Sequence, residues 1–406
     1  MPVVEGLHTK TFIWLFFCDF VSETPTRLFV VSMMNVTRST STLASQNLPW
    51  NPRLAHLRFI AALLVLAFHT YHSFFGMWQP RFHTAGFGWV VEGHTGVSLF
   101  FVLSGYLFMS IALRSQGQMN YASFLRNRVL RVFPLFVVVF IVAVSVAREA
   151  FQPQDVLYLF FSNLGQAPTS KLFMTGPAWT ISVEFTFYLI FPFLARFAVQ
   201  QGPGYLVRLI FLVLLFKTGA FLASESPTHM IYSTLLGRLD QFLIGMLAAQ
   251  LAASWASRPL HGAWTLAAGF VMWALLEAQA RWASYFLPDP VQLAWLGWPT
   301  IEAMGWAAVI VTYAHWRGAI WGWLGNWMER GGEISFSLYL WHALVIYLVT
   351  ELFGTPAWFG NWQLNAIAIG TVILTVTWGI SAISYRTIEE PFLGLRKRYT
   401  QQAPRT

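Results

Sequence analysis

One predicted helix carries both a cation and a titratable base. Arg58 and His69 lie eleven residues apart in an apolar run from Leu54 to Ser73. At 100° per residue they share a face to within about 20° and stand roughly 16 Å apart. An ionisable group in a spanning helix costs a few kcal/mol, so both side chains indicate a function, such as guiding a long anionic ligand towards a base. The alternative is a snorkelling arginine and a buried, hydrogen-bonded histidine.

A carboxylate is expected near that base. Glu184 follows Gly176-Pro177 at the start of another apolar run. If this helix crosses in the opposite direction to the first, Glu184 lies at about the depth of His69. A carboxylate beside an imidazole orients the ring and raises its basicity, which suits general-base catalysis. The alternative is a carboxylate that interacts favourably with the start of its own helix.

Three arginines, Arg126, Arg128 and Arg131, stand at the mouth of a third apolar run. Arg128 and Arg131 are three residues apart and face the same way. Guanidinium groups match phosphate oxygens, so the pair suits a nucleotide-bearing donor. The general enrichment of cations at cytoplasmic helix ends explains them equally well.

A polar stripe marks a late helix, where Ser335, Tyr339 and His342 fall on one face. It either lines the interior or forms interhelical hydrogen bonds. His72 shares a face with His69, but two histidines without a third ligand make an incomplete zinc site, so no metal is predicted.

Three more charges lie in apolar runs. Arg238 and Asp240 are expected either to pair with each other or to bind sugar hydroxyls. Lys217 is expected to snorkel towards the membrane surface.

The elements that position these residues are predicted to be membrane-spanning helices. The 406 residues are 56% apolar and only 10% charged, against about 25% charged in a soluble domain. Apolar runs of helix length recur, which predicts an all-α polytopic bundle of about ten helices in a lipid bilayer. The predicted spans are 54–73, 93–113, 129–147, 178–197, 205–222, 235–253, 260–277, 298–314, 335–352 and 364–385.

The distribution of basic residues predicts the orientation. With a cytoplasmic N-terminus, fourteen Lys and Arg residues fall in inside loops and four in outside loops, not counting the N-terminal tail. This asymmetry indicates that both termini are cytoplasmic. The same asymmetry explains the net charge of +8, so binding to nucleic acid is not predicted.

The ends of the chain differ from the bundle. Residues 1–50 contain an apolar stretch too short to span a bilayer and a segment rich in Ser, Thr and Asn, which predicts a poorly ordered N-terminal extension. Met33 or Met34 is an alternative natural start. Residues 396–406 are predicted to be a basic cytoplasmic tail.

Two classes of function agree with buried charge in a helical bundle. A secondary transporter or exporter would use an Arg/His/Glu pathway, although paired, broken helices in two related halves are not visible. An enzyme needs a base, an orienting group and a clamp for its donor, and His69, Glu184 and the arginines are candidates for these roles.

Six motifs, in order, resemble the acyltransferase-3 family of membrane O-acyltransferases. They are Arg58-x10-His69, the segment Gly96–Leu107 with its FFVLSGYL sequence, Arg128-x-x-Arg131 with Pro134, Trp179–Glu184 followed by Tyr188 and Pro192, Ser335–His342, and Glu389-Glu390-Pro391. The resemblance covers about residues 50–395. It implies a stand-alone membrane acyltransferase domain over residues 51–395 in the bacterial inner membrane.

The resemblance also implies the reaction. Acetyl-CoA or another acyl-CoA would donate its acyl group from the cytoplasm to a hydroxyl of a cell-surface or lipid-linked glycan outside. His69 would act as base or transient acyl carrier with Glu184, and Arg58, Arg128 and Arg131 would hold the donor. Ser104, Trp179, Ser335, Tyr339 and His342 are expected to line the substrate path.

Overall fold

The computed structural model describes residues 47–76, 86–152, 175–224, 227–254, 259–284, 293–320 and 322–399. Their regular elements are helical, apart from one isolated bridge between Leu260 and Trp316. The described residues belong to one compact unit, Ser45–Thr406. Most of the predicted extension over residues 1–50, and the predicted tail beyond residue 399, lie outside the described residues.

Fourteen α-helices follow one another along the described chain. They are α1 (Pro52–Tyr71), α2 (Gly88–Val91), α3 (Thr95–Arg114), α4 (Tyr121–Val146), α5 (Thr175–Gln201), α6 (Pro203–Ala223), α7 (Pro227–Ser233), α8 (Leu235–Ala253), α9 (Gly262–Ala278), α10 (Ala294–His315), α11 (Gly322–Glu333), α12 (Ser335–Phe353), α13 (Trp362–Ser384) and α14 (Glu390–Gly394). Single π-helical turns extend α1, α9 and α13, and a 3₁₀ turn, Arg148–Ala150, follows α4.

Local sequence signals set the starts of the helices that matter most for the site. The side chain of Asn51 accepts a hydrogen bond from the Arg53 backbone N–H, and Pro52 occupies the first turn of α1. Asn120 and Asn361 cap α4 and α13 in the same way. These caps satisfy backbone donors that a helix start leaves without intrahelical partners, so they fix the residue at which each helix begins.

Eight helices of the described chain are long and apolar enough to cross a membrane. The predicted count of about ten additionally includes α9 and α10. Helix α9 has 17 residues, and α10 has 22 residues that include Glu302 and Pro299. Both occupy sequence where a span was expected, and the count of ten remains a prediction.

The surface and the interior of the bundle differ as expected for a protein in lipid. Large apolar side chains point outwards, including Phe211, Leu222 and Leu266, whose exposed fractions are 71%, 76% and 77%. A large cluster of buried apolar side chains connects α1, α3, α4, α5, α8, α10 and α12. Because water does not favour such an outer surface, the fold indicates burial in an apolar solvent.

Two glycines join α3 and α8 along the most extensive helix contact. A Cβ atom at Gly105 would lie 2.1 Å from the Phe242 carbonyl oxygen, and one at Gly245 would lie 2.0 Å from that of Val102. The backbones of α3 and α8 are therefore in direct contact at both glycines. We call this contact the α3–α8 seam. Small residues allow this approach between membrane helices, and any larger residue would force the pair apart.

Candidate active site

The two chemically active residues of α1 lie on an accessible face of a helix that is otherwise largely buried. Arg58 and His69 are both partly exposed, whereas Phe59, Val65 and Phe68 around them are buried. The shared face that the sequence predicted therefore borders accessible space inside the bundle.

A second histidine contacts His69. The Nδ1 atom of His69 lies 2.9 Å from the Val65 carbonyl oxygen and 3.3 Å from Nε2 of His342. The Nδ1 atom of His342 in turn lies 2.5 Å from the Tyr339 carbonyl oxygen. A carbonyl oxygen only accepts hydrogen bonds, so both rings carry their proton on Nδ1 when neutral. His342 Nε2 then accepts from His69, and the lone pair of His69 resides on Nε2, as a base or nucleophile requires.

Helix α12 fixes His342 through contacts with its own residues and with α5. His342 is fully buried, and Tyr339, one turn earlier, shares a hydrogen bond of 2.7 Å with the Thr180 hydroxyl. Ser335 donates instead to the Gly332 carbonyl oxygen at 2.8 Å. Of the predicted stripe, His342 reaches His69, whereas Ser335 is buried in a local backbone contact.

The structure gives Glu184 partners other than the expected His69. Its Oε1 atom accepts from the Ser104 hydroxyl at 3.1 Å, and the carboxylate lies within electrostatic range of Tyr188. It also lies within electrostatic range of Arg58. These contacts place Glu184 beside the cation of the site rather than beside the base.

The predicted arginines form a cationic group beneath the histidines. Arg58 lies within electrostatic range of Arg128 and Arg131. Arg131 pairs with Glu389 at 2.7 Å, and Arg128 donates to the Tyr399 hydroxyl at 2.9 Å and packs over the Phe108 ring. Within the described part of the chain Arg58 forms no ion pair. Arg126 is exposed at the surface.

Arg396 adds a further positive charge that sequence reasoning did not assign to the site. Burial, together with the nearby cations Arg128 and Arg131, lowers the pKa of Arg396 to about 10. Its guanidinium therefore remains charged at neutral pH. A signal was present in the basic run after α14, but the sequence did not show that the run folds back onto α4.

A buried network occupies a different part of the bundle and corrects two expectations. Lys217 does not snorkel: it is fully buried and donates to Asp240 at 3.0 Å. Arg238 does not pair with Asp240 but bonds the Tyr232 carbonyl oxygen and the Ser98 hydroxyl. The pairing partner of Asp240 lies on the preceding long helix, because burial there demands a counter-charge.

Trp179 belongs to the edge of this network. Its ring is buried, and the Arg238 guanidinium lies 5.6 Å from its centroid.

His72 is buried, with Nε2 3.1 Å from the Val91 carbonyl oxygen. Among the residues that the structure describes, no three His, Cys, Asp or Glu side chains are grouped to hold a metal.

Comparisons with known proteins agree with the resemblance found in the motifs. The family model described as an acyltransferase domain, of the acyltransferase-3 family, matches residues 51–384. The acyltransferase MdmB of Streptomyces mycarofaciens is 27% identical over 87% of this chain and 95% of its own length. Nodulation protein 10 of Rhizobium leguminosarum bv. viciae is 24% identical over 84% of this chain and 92% of its own.

A further relative is named for the modification of a cell-wall glycan. The putative peptidoglycan O-acetyltransferase YrhL of Bacillus subtilis is 25% identical over 84% of this chain and 54% of its own length. No solved structure matches the chain. The family match, the apolar helices and the relatives together show a multi-pass membrane enzyme that transfers acyl groups, and the chain belongs to the acyltransferase-3 family.

Proposed function

We propose that this protein is a membrane O-acyltransferase of the bacterial inner membrane. In this proposal an acyl group, most simply acetyl, moves from cytoplasmic acyl-CoA to a hydroxyl of a glycan on the other side. Relatives named as O-acetyltransferases, one of them for peptidoglycan, support an O-linked product and a glycan acceptor. The observation that carries the proposal is the contact between His69 and His342.

The histidine pair supports a defined proton route. Nε2 of His69 takes the proton of the acceptor hydroxyl as its oxygen attacks the thioester carbonyl, and the thiolate then leaves and receives that proton. Nε2 of His342 accepts a hydrogen bond from Nδ1–H of His69. This contact stabilises the imidazolium that His69 becomes between the two proton transfers. In the alternative route Nε2 attacks the thioester carbonyl first and the CoA thiolate leaves. The acceptor hydroxyl oxygen then attacks the acyl group on Nε2, the C–N bond breaks, and the hydroxyl proton passes to the thiolate.

Arg58 is the cation best placed to meet the donor. It is partly exposed, lies on the same face as His69, and forms no ion pair among the described residues. Arg128 and Arg131 add positive charge beside it, although both already have protein partners. Ser104 and Glu184, also partly exposed, border the same region. Such a cationic group attracts a donor that carries phosphate.

The test is acyl transfer by purified protein reconstituted in vesicles. With acetyl-CoA outside one face and an oligosaccharide acceptor at the other, thioester consumption and ester formation should rise together, one for one. Mass spectrometry of the acceptor identifies the ester. Transport of a solute without consumption of thioester would instead support the transporter alternative.

We expect the Arg58→Gln variant to bind the donor less tightly. Loss of a charge-assisted hydrogen bond to the donor raises the KM for acetyl-CoA by roughly 10–100-fold. Steady-state kinetics at saturating acceptor measure this change. The Arg126→Gln variant, which removes an exposed arginine near the same helix end, is the matched control and should keep its KM. An unchanged KM in Arg58→Gln would remove this residue from the donor site.

We expect the His342→Phe variant to fold and to turn over slowly. Phenylalanine fills the volume of the imidazole but cannot accept from His69 Nδ1, so kcat falls by about tenfold, the value of one hydrogen bond. The KM for acetyl-CoA should change little, because His342 lies away from the arginines. A normal kcat would show that the second imidazole does not assist the first.

A further inference from the structure

A cleft of about 710 Å³ opens beside the start of α1, where the ends of α3, α8 and α10 meet. It does not contain His69, Arg128 or Arg131. Its volume lies within the range of sites that bind small molecules and cofactors. The polar and aromatic residues that matter for its chemistry are Trp50, Arg53, Tyr106, Arg114, Trp316 and Arg317.

Three guanidinium groups line the cleft without a carboxylate partner among the described residues. Arg114 and Arg317 are exposed, and no ion pair or hydrogen bond of their side chains is present in this part of the chain. Arg53 donates from Nη2 to the Gly318 carbonyl oxygen at 2.5 Å, but its buried Nε–H has no hydrogen-bond partner. A buried donor without a partner is costly, which indicates a missing acceptor.

The arginines beneath the histidine pair have more protein partners. Arg131 is paired with Glu389, and Arg128 is held by Tyr399 and by aromatic rings, although its buried Nε–H also has no hydrogen-bond partner. A donor with several phosphate groups gains affinity from cations beyond those beneath the histidine pair. The cleft supplies three further cations at the same end of the bundle, since Arg53 precedes Arg58 by five residues, about 7.5 Å of helix.

Aromatic rings make the cleft suitable for a planar base. Trp50 is fixed by a hydrogen bond of 2.6 Å from its Nε1 atom to Glu329, and Trp316 lies under the Arg53 guanidinium, 5.2 Å from its ring centroid. Indole rings and guanidinium planes stack on nucleobases, whereas a lipid headgroup offers no flat ring for them. Phosphate-binding cations beside fixed aromatic rings therefore favour a nucleotide.

The walls of the cleft lead towards the site. Leu54 lies one turn before Arg58 on the same face of α1, and Leu107 lies one turn after Ser104 on the same face of α3. The two helices that present site residues thus also form the cleft. The rise from Arg53 to His69 is about 24 Å, a span that requires an elongated donor.

We propose that this cleft binds the adenine-nucleotide end of the acyl-CoA donor, with Arg53, Arg114 and Arg317 on its phosphates and Trp50 and Trp316 beside its base. The thioester arm then extends past Leu54 and Leu107 towards Arg58 and His69. The identity of the donor rests on the proposed function, whereas the nucleotide chemistry of the cleft rests on its own residues.

The test uses a variant that leaves the fold intact. The double variant Arg114→Gln and Arg317→Gln changes two exposed side chains without hydrogen bonds to the described protein, and Arg208→Gln, another exposed arginine, is the control. Calorimetry with CoA and with 3′,5′-ADP measures binding to full-length protein in nanodiscs of phosphatidylcholine. We expect at least a tenfold weaker affinity for both ligands in the double variant and wild-type affinity in the control.

Kinetics separate loss of nucleotide contacts from general damage. The KM for acetyl-CoA should rise at least tenfold in the double variant, while kcat/KM with S-acetylpantetheine, which lacks the nucleotide, should stay within twofold of wild type. Unchanged binding of CoA and 3′,5′-ADP would overturn the assignment. The assignment would also be overturned if the double variant weakened only the binding of phosphatidylglycerol, because the cleft would then hold a lipid headgroup.

The binding measurement does not depend on whether the proposed reaction takes place. If wild-type protein consumes no thioester yet binds 3′,5′-ADP through these arginines, the proposed reaction fails and the nucleotide cleft stands. If wild-type protein transfers acetyl groups and the double variant binds CoA normally, the reaction stands and the cleft assignment fails.

Discussion

Replacing His69 with alanine is expected to lower the rate of acyl transfer by about 10²–10⁴-fold, the usual contribution of a positioned base. The expectation follows from the geometry of the ring. His69 Nδ1 is held by the Val65 carbonyl oxygen and by His342, so Nε2 carries the lone pair on a partly exposed face of α1. No other described imidazole has the same combination of a fixed tautomer, a second histidine and access to the interior beside Arg58.

The measurement is ester formation on the acceptor by reconstituted protein, with thioester consumption followed in parallel. A fluorescent fusion and size-exclusion chromatography establish that the variant is inserted and monodisperse. The His261→Asn variant is the control, because His261 is an exposed cap of α9 and asparagine retains the capping acceptor. Full activity of His69→Ala would remove both the base and the acyl-carrier route.

The second large effect concerns stability rather than catalysis. We expect Asp240→Ala to destabilise the protein by about 3–5 kcal/mol, because it leaves the buried ammonium group of Lys217 without its counter-ion. Both side chains are fully buried, and their atoms Nζ and Oδ2 are 3.0 Å apart. Thr300 also donates to this carboxylate and would lose its acceptor. Thermal unfolding in a fixed detergent, followed by tryptophan fluorescence, measures the loss.

The double variant Lys217→Met with Asp240→Leu provides the comparison. Removing both charges together replaces the ion pair by apolar side chains of similar volume, which is often neutral or stabilising. The double variant should therefore unfold at a higher temperature than Asp240→Ala. If the two unfold alike, the penalty arises from lost packing and not from an unpaired charge.

Much of the bundle was predictable because a helix needs about 20 consecutive apolar residues to cross the lipid. The predicted span 235–253 coincides with α8, and the span 93–113 differs from α3 by one or two residues at each end. Helix α11, Gly322–Glu333, was not predicted, because it is amphipathic and its sequence lies in what reads as a loop between spans. Its Gly332 packs directly on the Ala55 backbone of α1, a contact that no hydropathy pattern reveals.

The site was predictable within a helix and less so between helices. Helical periodicity placed Arg58 and His69 on one face, since that relation depends only on the turn angle. The contact between His69 and His342 depends on how α1 and α12 pack, and their sequence separation of 273 residues gave no sign of it. Glu184 shows the same limit, because its position beside Arg58 depends on how α5 packs against α3, which the sequence does not reveal.

Lys217 illustrates a different limit. Its long side chain in an apolar run is equally compatible with an ammonium group at the membrane surface and with an ammonium group in a buried ion pair. Only the packing of α6 against α8 decides in favour of Asp240. Charges within spans are therefore assigned safely only when the facing helix is known.

The α3–α8 seam has a consequence for the energetics of the cell. A bilayer enzyme that admits a charged cofactor from one compartment and an acceptor from the other is at risk of becoming a leak for protons and ions. Where Gly105 and Gly245 bring two backbones into contact, no file of water molecules fits between them. Conduction of protons and ions would therefore be blocked along this wall, so that the electrochemical gradient across the membrane would persist.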